Sequence, residues 1–197
     1  MHDYYAQPVA PGTLGKGGAL WDEKKGLPGK LYAPNLTPYW LEDWSDGEIF
    51  HAITAGVSRD GSPLFPLMPH HAYGKLDPED FYDIIAYLRT LDPIENEVPI
   101  SELNFPMNLI TRMIPQKPEF SPRPDPSDQV AFSKYLTMAS SCGDCHTPMV
   151  EGRYDETRLF AGGNEYPLKD GSIVRSSNLT PHDGTGLGGR SFSTSKS

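Results

Sequence analysis

Cys142, Cys145 and His146 are the residues whose types and spacing are best suited to do chemistry together. Two thiols three positions apart, with an imidazole directly after the second, form the C-x-x-C-H pattern of covalent haem attachment. Each thiol would form a thioether to a haem vinyl group, and the imidazole would bind the iron as the proximal ligand. The chain contains only these two cysteines, so no other thiol competes. The pattern predicts haem c, with its iron, as the cofactor.

Other interpretations of the cysteine pair have less support. A thioredoxin-like redox pair needs a βαβ context, and the residues around Cys142 show no apolar strand. A structural zinc site needs four Cys or His ligands, and the next histidine, His182, lies far along a glycine-rich stretch. A chance occurrence of the pattern also stays open. A haem-free Cys/His metal-binding module is therefore kept as an alternative function.

Composition restricts the class and the cellular location. The net charge of -9 argues against a nucleic-acid partner, because phosphate binding needs basic patches. No run of about 18 or more apolar residues predicts a membrane-spanning helix, and the N-terminus lacks a signal-peptide pattern. Haem attachment through C-x-x-C-H nevertheless implies export. We therefore expect a periplasmic protein whose true start lies upstream, or a fragment, with membrane association through a missing segment or a partner left open.

An internal repeat indicates that the chain contains two related units. The tetrapeptide Asn-Leu-Thr-Pro occurs twice, and a Gly-Gly pair precedes each copy. The matching segments are 17–18 with 35–38, and 162–163 with 178–181. The same register puts the first unit's C-x-x-C-H before the start of the chain, where only His2 is near the expected position. It puts the second unit's counterpart of Met68 beyond Ser197, so we expect both units to be incomplete.

Helix signals are strong at three places. An S-x-x-E capping box at Ser45 starts a helix that ends near residue 56. Asp77, followed by a proline and two acids, starts a second helix over about 78–92, with its apolar side chains on one face. A third helix, over 127–140, leads directly into the cysteine pair. These helices are the elements that must position the chemistry.

The remaining stretches, among them 1–44 and everything after Pro148, are rich in Gly and Pro and are expected to be loops. The predicted fold is therefore all-α, with two small helical domains and long loops. The first domain, 1–97, lacks its C-x-x-C-H. A Pro-rich linker, 98–126, joins it to the second domain, 127–197, which carries C-G-D-C-H and ends before its distal Met.

Six motifs follow one another along the chain: NLTP at 35–38, WSDGEI at 44–49, GVSRDG at 56–61, LFPLMP at 64–69, IAYLRTL at 85–91 and CGDCHTP at 142–148. This ordered set resembles the cytochrome c family. More narrowly, it resembles the multi-haem cytochrome c subunits of bacterial periplasmic or membrane-bound dehydrogenases. The likeness covers most of residues 31–97 and 127–190.

The resemblance implies a proximal His and a distal Met for each haem. Four residues of the second unit match the family pattern: Cys142 and Cys145 as thioether cysteines, Pro148 as packing on the proximal side, and His146 as the proximal iron ligand. In the first unit Met68 matches the distal ligand. The neighbouring His70 and His71 are the alternative ligands in that loop.

The resemblance also implies electron transfer, with the iron cycling between ferric and ferrous states. A dehydrogenase would donate the electrons, and a quinone or a terminal oxidase would accept them. The chain would then be an electron carrier within an oxidoreductase complex and no enzyme by itself. The alternative is a peroxidase-like enzyme that uses an open sixth position on the iron.

Overall fold

The structure, a computed structural model, describes residues 10–150, 152–168 and 171–190. The chain divides into two compact units, 1–123 and 124–197. Helices account for 33% of the described residues and strands for 11%, the strands forming three small antiparallel sheets. The prediction of an all-α fold is therefore wrong. None of the helices in the described part combines the length and apolar character that a bilayer crossing needs.

The missed strands lie in the Gly- and Pro-rich stretches. Strand β1, Leu20–Trp21, pairs antiparallel with β2, Gly29–Tyr32, across a 3-10 turn at Glu23–Lys25. Gly26 ends that turn at φ 77°, a conformation that glycine adopts without strain. Strands of two to four residues are too short to show an alternating pattern in the sequence, which is why these were missed.

A third strand comes from the stretch that was predicted to be a linker. Strand β3, Glu102–Leu103, pairs antiparallel with β2. A Cβ at Gly29 would collide with the carbonyl oxygen of Glu102, so only glycine permits this close pairing. Further along, the ring of Phe120 lies against Phe50, with centroids 5.5 Å apart. This stretch thus contributes both backbone pairing and an aromatic contact to the first unit.

The capping box predicted at Ser45 is confirmed. Ser45 Oγ accepts the amide of Glu48 at 3.2 Å, and the Glu48 carboxylate accepts the amide of Ser45 at 2.8 Å. These two bonds satisfy amides that a helix start leaves without partners. Helix α2 then spans Asp46–Ala55 and ends at Gly56, at φ 73°.

The second predicted helix is also confirmed and is fastened to the first. It is preceded by the short helix α1, Pro38–Leu41, and by α3, His70–Tyr73. Helix α4 spans Pro78–Arg89 and is capped by Asp77. Arg89 donates to the carbonyl oxygens of Leu41, at 2.7 Å, and Trp44, at 2.5 Å. The end of α4 is thereby joined to the start of α2.

The core of the first unit forms where α1, α2 and α4 meet. Its buried residues are Leu41, Ile49 and Ile85, with Trp44, Phe50 and Ile53 packed against them. Phe50 stacks on Tyr82 at 5.3 Å. A further short helix, α5, Met107–Ile110, lies in the stretch after α4.

The second unit places a short helix at the cysteine pair. Helix α6 spans Gln129–Ala139, close to its predicted extent. Helix α7, Cys142–His146, follows after Ser141, whose φ of 52° separates the two helices. Beyond α7, where loop was predicted, two hairpins form. Their strands are β4 (Met149–Val150) with β5 (Arg153–Tyr154), and β6 (Glu165–Pro167) with β7 (Ile173–Arg175).

The internal repeat is visible in the backbone of both units. The amide of Gly18 donates to Ala33 at 2.8 Å, and that of Gly163 donates to Ser176 at 2.9 Å. In each N-L-T-P turn the Asn side chain accepts the Thr amide, at 2.9 Å in the first copy and 2.8 Å in the second. The two copies therefore share one backbone scaffold.

Candidate cofactor-attachment site

The three residues of the C-x-x-C-H pattern lie on a single helical turn. Helix α7 is closed by the amide of Thr147, which donates to Gly143 at 2.9 Å. Residues three and four apart share a helix face, so the turn directs Cys142, Cys145 and His146 to the same side. Cys142 is half-buried and Cys145 exposed, and both thiols are unpaired. One flat ligand along this face could contact both sulfurs and the imidazole.

The His146 ring is oriented by a backbone carbonyl. Its Nδ1 lies 2.7 Å from the oxygen of Ser177. A carbonyl only accepts, so Nδ1 carries the proton and the lone pair of the neutral ring lies on Nε2. An imidazole held at one nitrogen by a carbonyl is the usual arrangement of a metal-binding histidine. The residues present therefore fit a haem whose iron binds Nε2.

A second loop holds the backbone of the same histidine. The amide of Gly162, from the Gly-Gly pair, donates to the His146 carbonyl at 2.7 Å. This carbonyl lies at the end of α7, where it lacks a partner within the helix. The Gly-Gly pair and the residue before the N-L-T-P turn thus hold His146 from its backbone and from its ring.

Asn164 fastens the end of α7 to the first hairpin. Its amide nitrogen donates to the carbonyl oxygens of Cys145, at 2.9 Å, and Thr147, at 2.7 Å. Its amide oxygen accepts the backbone N–H of Met149 at 3.0 Å. One side chain therefore makes three hydrogen bonds to the five residues that carry the second thiol and the imidazole.

Two tyrosines border the exposed thiol. Burial, and then the neighbouring Cys145, raise the pKa of Tyr166 to about 12. Burial and the charge of Asp144 raise the pKa of Tyr154. Both phenols therefore remain neutral at physiological pH, and they add no charge to the surroundings of Cys145.

Pro148 follows Thr147, which is only 1% exposed. Its carbonyl accepts the amide of Asp155 at 2.9 Å, across the hairpin of β4 and β5. Its packing on the proximal face of a haem stays a prediction.

Phe160 holds a strained conformation beside α7. Its φ is 61°, which costs a non-glycine residue about 1–2 kcal/mol. A Cβ placed on Gly143 would lie 3.8 Å from the Phe160 ring, which is ordinary contact distance. The ring therefore packs over the helix between the two cysteines.

We expect the Gly143→Ala substitution to be tolerated and slightly stabilising. The added methyl would meet the Phe160 ring and Thr147 Oγ1 at 3.8 Å, without a clash. Alanine is favoured over glycine within a helix by about 1 kcal/mol. Thermal unfolding should move to a higher temperature, and the amount of covalently bound haem should not change. A loss of haem in this variant would show that glycine has a role here beyond packing.

Met68 and its neighbours belong to the first unit, whereas the cysteines belong to the second. Met68 is half-buried in the loop before α3, and its carbonyl accepts the amide of His70 at 2.8 Å. His70 is 1% exposed. Neither of its ring nitrogens has a hydrogen-bond partner among the described residues. Burial, and then the charge of His71, hold the pKa of His70 below its usual value.

The His70 ring is packed into the protein interior. A Cβ on Gly56, at the end of α2, would lie 2.7 Å from three atoms of that ring. The imidazole therefore lies directly against the Gly56 backbone, and no ligand reaches it without moving that backbone. This arrangement is that of a core residue, and it leaves Met68 as the more accessible candidate ligand of the loop.

We expect the His70→Leu substitution to leave the first unit as stable as before or to stabilise it by about 1–3 kcal/mol. Leucine removes two buried polar atoms that lack partners, and such atoms cost about that much each. Denaturant unfolding of the full chain would measure the change. The exposed His51→Leu on α2 is the control, with an expected effect within about 0.5 kcal/mol. A marked destabilisation by His70→Leu would contradict the absence of a partner.

Among the described residues, no group of three or more His, Cys, Asp or Glu side chains is arranged to hold a metal ion. Comparison with protein-family models gives no match. Curated proteins give clear ones. The chain is 28% identical over 150 residues to "Alcohol dehydrogenase (quinone), cytochrome c subunit" of Gluconacetobacter polyoxogenes, covering 70% of this chain and 32% of that protein.

Two further relatives are of the same kind. "Diheme cytochrome c-type" of Cereibacter sphaeroides is 29% identical over 163 residues, covering 78% of this chain and 54% of the relative. "Fructose dehydrogenase cytochrome subunit" of Gluconobacter japonicus is 30% identical over 137 residues, covering 61% and 27%.

These matches confirm the predicted resemblance. The chain is a cytochrome c-type protein. More narrowly, it is a relative of the cytochrome c subunits of dehydrogenases, and it spans about a third of the length of the first of them.

Three residues of the site were not predicted from the sequence. They are Ser177, Gly162 and Asn164. The repeat drew attention to Gly162 and to the turn that follows Ser177, but it assigned no contact to either. Asn164 had no signal, because the first copy has Ala19 at the same place after its Gly-Gly pair.

Proposed function

We propose that this chain binds haem c covalently at Cys142 and Cys145 and transfers electrons as part of the cytochrome subunit of a dehydrogenase. The observation that carries the proposal is the His146 ring, held through Nδ1 by the Ser177 carbonyl at 2.7 Å beside two unpaired thiols. The cytochrome c subunits among its relatives support the same conclusion.

The two cysteines hold the cofactor. Each sulfur would add to one carbon of a vinyl group and its proton to the other, so the attachment is neither an oxidation nor a reduction. When bound, the haem supplies an iron that alternates between the ferric and ferrous states. The half-buried Cys142 and the exposed Cys145 would attach it along one side of α7.

His146 would set the iron's electronic environment. Because Nδ1–H donates to a carbonyl, Nε2 becomes a stronger donor to the metal. Stronger donation stabilises the ferric state and lowers the reduction potential. The neutral phenols of Tyr154 and Tyr166 add no opposing charge. The second unit would thus carry one electron at a time without changing its own covalent structure.

Met68 remains our candidate distal ligand for a haem of the first unit, with 1–97, 98–126 and 127–197 as the proposed domain limits. A thioether is a soft ligand that raises the potential of a His-ligated iron. Its half-buried position in the loop before α3 is compatible with this role. The dihaem cytochrome among the relatives supports a haem for each unit.

We further propose a periplasmic location, a dehydrogenase as the electron donor, and a quinone or a terminal oxidase as the acceptor. A relative whose name contains "Alcohol dehydrogenase (quinone)" supports the quinone. The net charge of -9 favours partners with basic docking surfaces.

The test is expression of the full chain with an export signal and the c-type maturation machinery. We expect a coloured protein whose haem stays with the polypeptide on a denaturing gel. It should be reduced by dithionite and reoxidised reversibly, with little turnover of hydrogen peroxide. A colourless chain of unmodified mass, produced beside a c-type cytochrome that matures normally, would contradict the proposal.

A further inference from the structure

We infer that Asn164 is a positioning residue for the proximal ligand, an inference that rests on the proposed function. Asn164 is half-buried and lies directly after the Gly-Gly pair, 19 residues from Cys145. Its side chain meets three groups of the segment that contains His146, although it contacts neither the thiols nor the imidazole ring. The reason to assign it a role is where those three bonds fall.

The bonds fall on both sides of His146. The carbonyl of Cys145 precedes the histidine and the carbonyl of Thr147 follows it, and one amide group binds both, at 2.9 and 2.7 Å. A donor shared between these carbonyls restrains the two peptide groups that flank His146. The Met149 amide, at 3.0 Å, extends the same restraint to the start of β4.

Asn164 is itself fixed by its backbone. Its N–H donates to the Ser176 hydroxyl at 3.1 Å, and its carbonyl accepts the amide of Ser176 at 3.0 Å. Ser176 is the neighbour of Ser177, whose carbonyl orients the His146 ring. Asn164 therefore joins the histidine's backbone to the strand end that holds the histidine's ring.

The consequence is a control of the Nδ1 hydrogen bond. If Asn164 sets the distance between α7 and residue 177, losing its side chain lengthens the bond from His146 to the Ser177 carbonyl. A weaker bond makes Nε2 a poorer donor, which destabilises the ferric state and raises the reduction potential. The first unit has Ala19 at the matching position. This restraint is therefore specific to the second unit.

The experiment compares Asn164→Ala with Ser176→Ala in the full chain after maturation with haem. We expect Asn164→Ala to shift the midpoint potential to more positive values and to lower the fraction of chains with covalent haem, by up to about 10–100-fold for loss of such an outer-shell partner. Ser176→Ala removes one bond to the Asn164 backbone but leaves its side chain in place. It should retain a potential close to that of the unsubstituted chain.

A second readout does not depend on haem. In the haem-free chain, amide hydrogen exchange at Met149 should be faster in Asn164→Ala than in Ser176→Ala, because only the former loses the acceptor of that amide. If Asn164→Ala does not fold, Asn164→Gln carries the test of the potential. It keeps the amide group but moves it by one methylene, so a positive shift is again expected.

An unchanged potential in the folded variants would overturn the inference, and so would equal shifts in Asn164→Ala and Ser176→Ala. Either result would mean that Asn164 acts only through stability. Failure of the proposed function is a different result. The unsubstituted chain would then carry no haem, and the faster exchange at Met149 would still report whether Asn164 restrains this segment.

Discussion

A chain in which Cys142 and Cys145 are both replaced by alanine will carry no haem that survives denaturation. The chain has no other thiol, so nothing remains that could form a thioether. His146 alone would bind haem only reversibly, through Nε2. We therefore expect complete loss of the haem-stained band on a denaturing gel. A weaker, dissociable haem spectrum is expected in the folded protein.

The matched control is His182→Ala, which removes the other histidine of the described second unit. His182 Nδ1 accepts the amides of Gly184 and Thr185, both at 3.2 Å, so its role is to stabilise a local turn. This variant should retain its covalent haem, whereas His146→Ala should lose the proximal ligand. Covalent haem in the double cysteine variant would refute the assignment of the two thiols.

The Gly162→Ala substitution will disrupt the second unit more than any other single methyl group that we consider. Gly162 has φ 71°, and an added Cβ would lie 2.5 Å from the carbonyl group of Ser177. That carbonyl holds His146 Nδ1, and the Gly162 amide holds the His146 backbone. We expect destabilisation by about 2–5 kcal/mol, the sum of backbone strain and overpacking.

Gly163→Ala separates the two causes. Gly163 has φ 94°, but no atom lies within 4 Å of its added Cβ. Only backbone strain applies there, so we expect a loss of about 1–2 kcal/mol. Chemical denaturation and covalent haem content would be measured for both variants. Equal effects in the two would show that contact with the Ser177 carbonyl is unimportant.

The repeat extends this reasoning to the first unit. Gly17 corresponds to Gly162, with φ 73°, and a Cβ there would lie 2.5 Å from the carbonyl group of Pro34. Pro34 precedes its N-L-T-P turn as Ser177 precedes the second. Both copies therefore bring a Gly-Gly pair against the residue before the turn. In the second unit this contact holds the histidine.

Local signals allowed a good part of the chain to be predicted. The capping box at Ser45 and the cap at Asp77 each act within a few residues, and α2 and α4 begin where these caps predict. A continuous apolar face then sustains each helix. The short strands of the Gly-rich stretches were missed for the opposite reason. Their stability comes from pairing and from glycines at positive φ, and neither leaves a periodic pattern in two to four residues.

The sequence by itself determined the chemistry of the site, because C-x-x-C-H places two thiols and an imidazole on one helical turn. Only the tertiary structure decided how that turn is held. Ser177 meets His146 from 31 residues away, and Asn164 meets Cys145 from 19. Such contacts join single polar groups of separate loops, which have no repeat or propensity to mark them. They exist only once the backbone brings an orphan carbonyl of the helix end within hydrogen-bond distance of a donor.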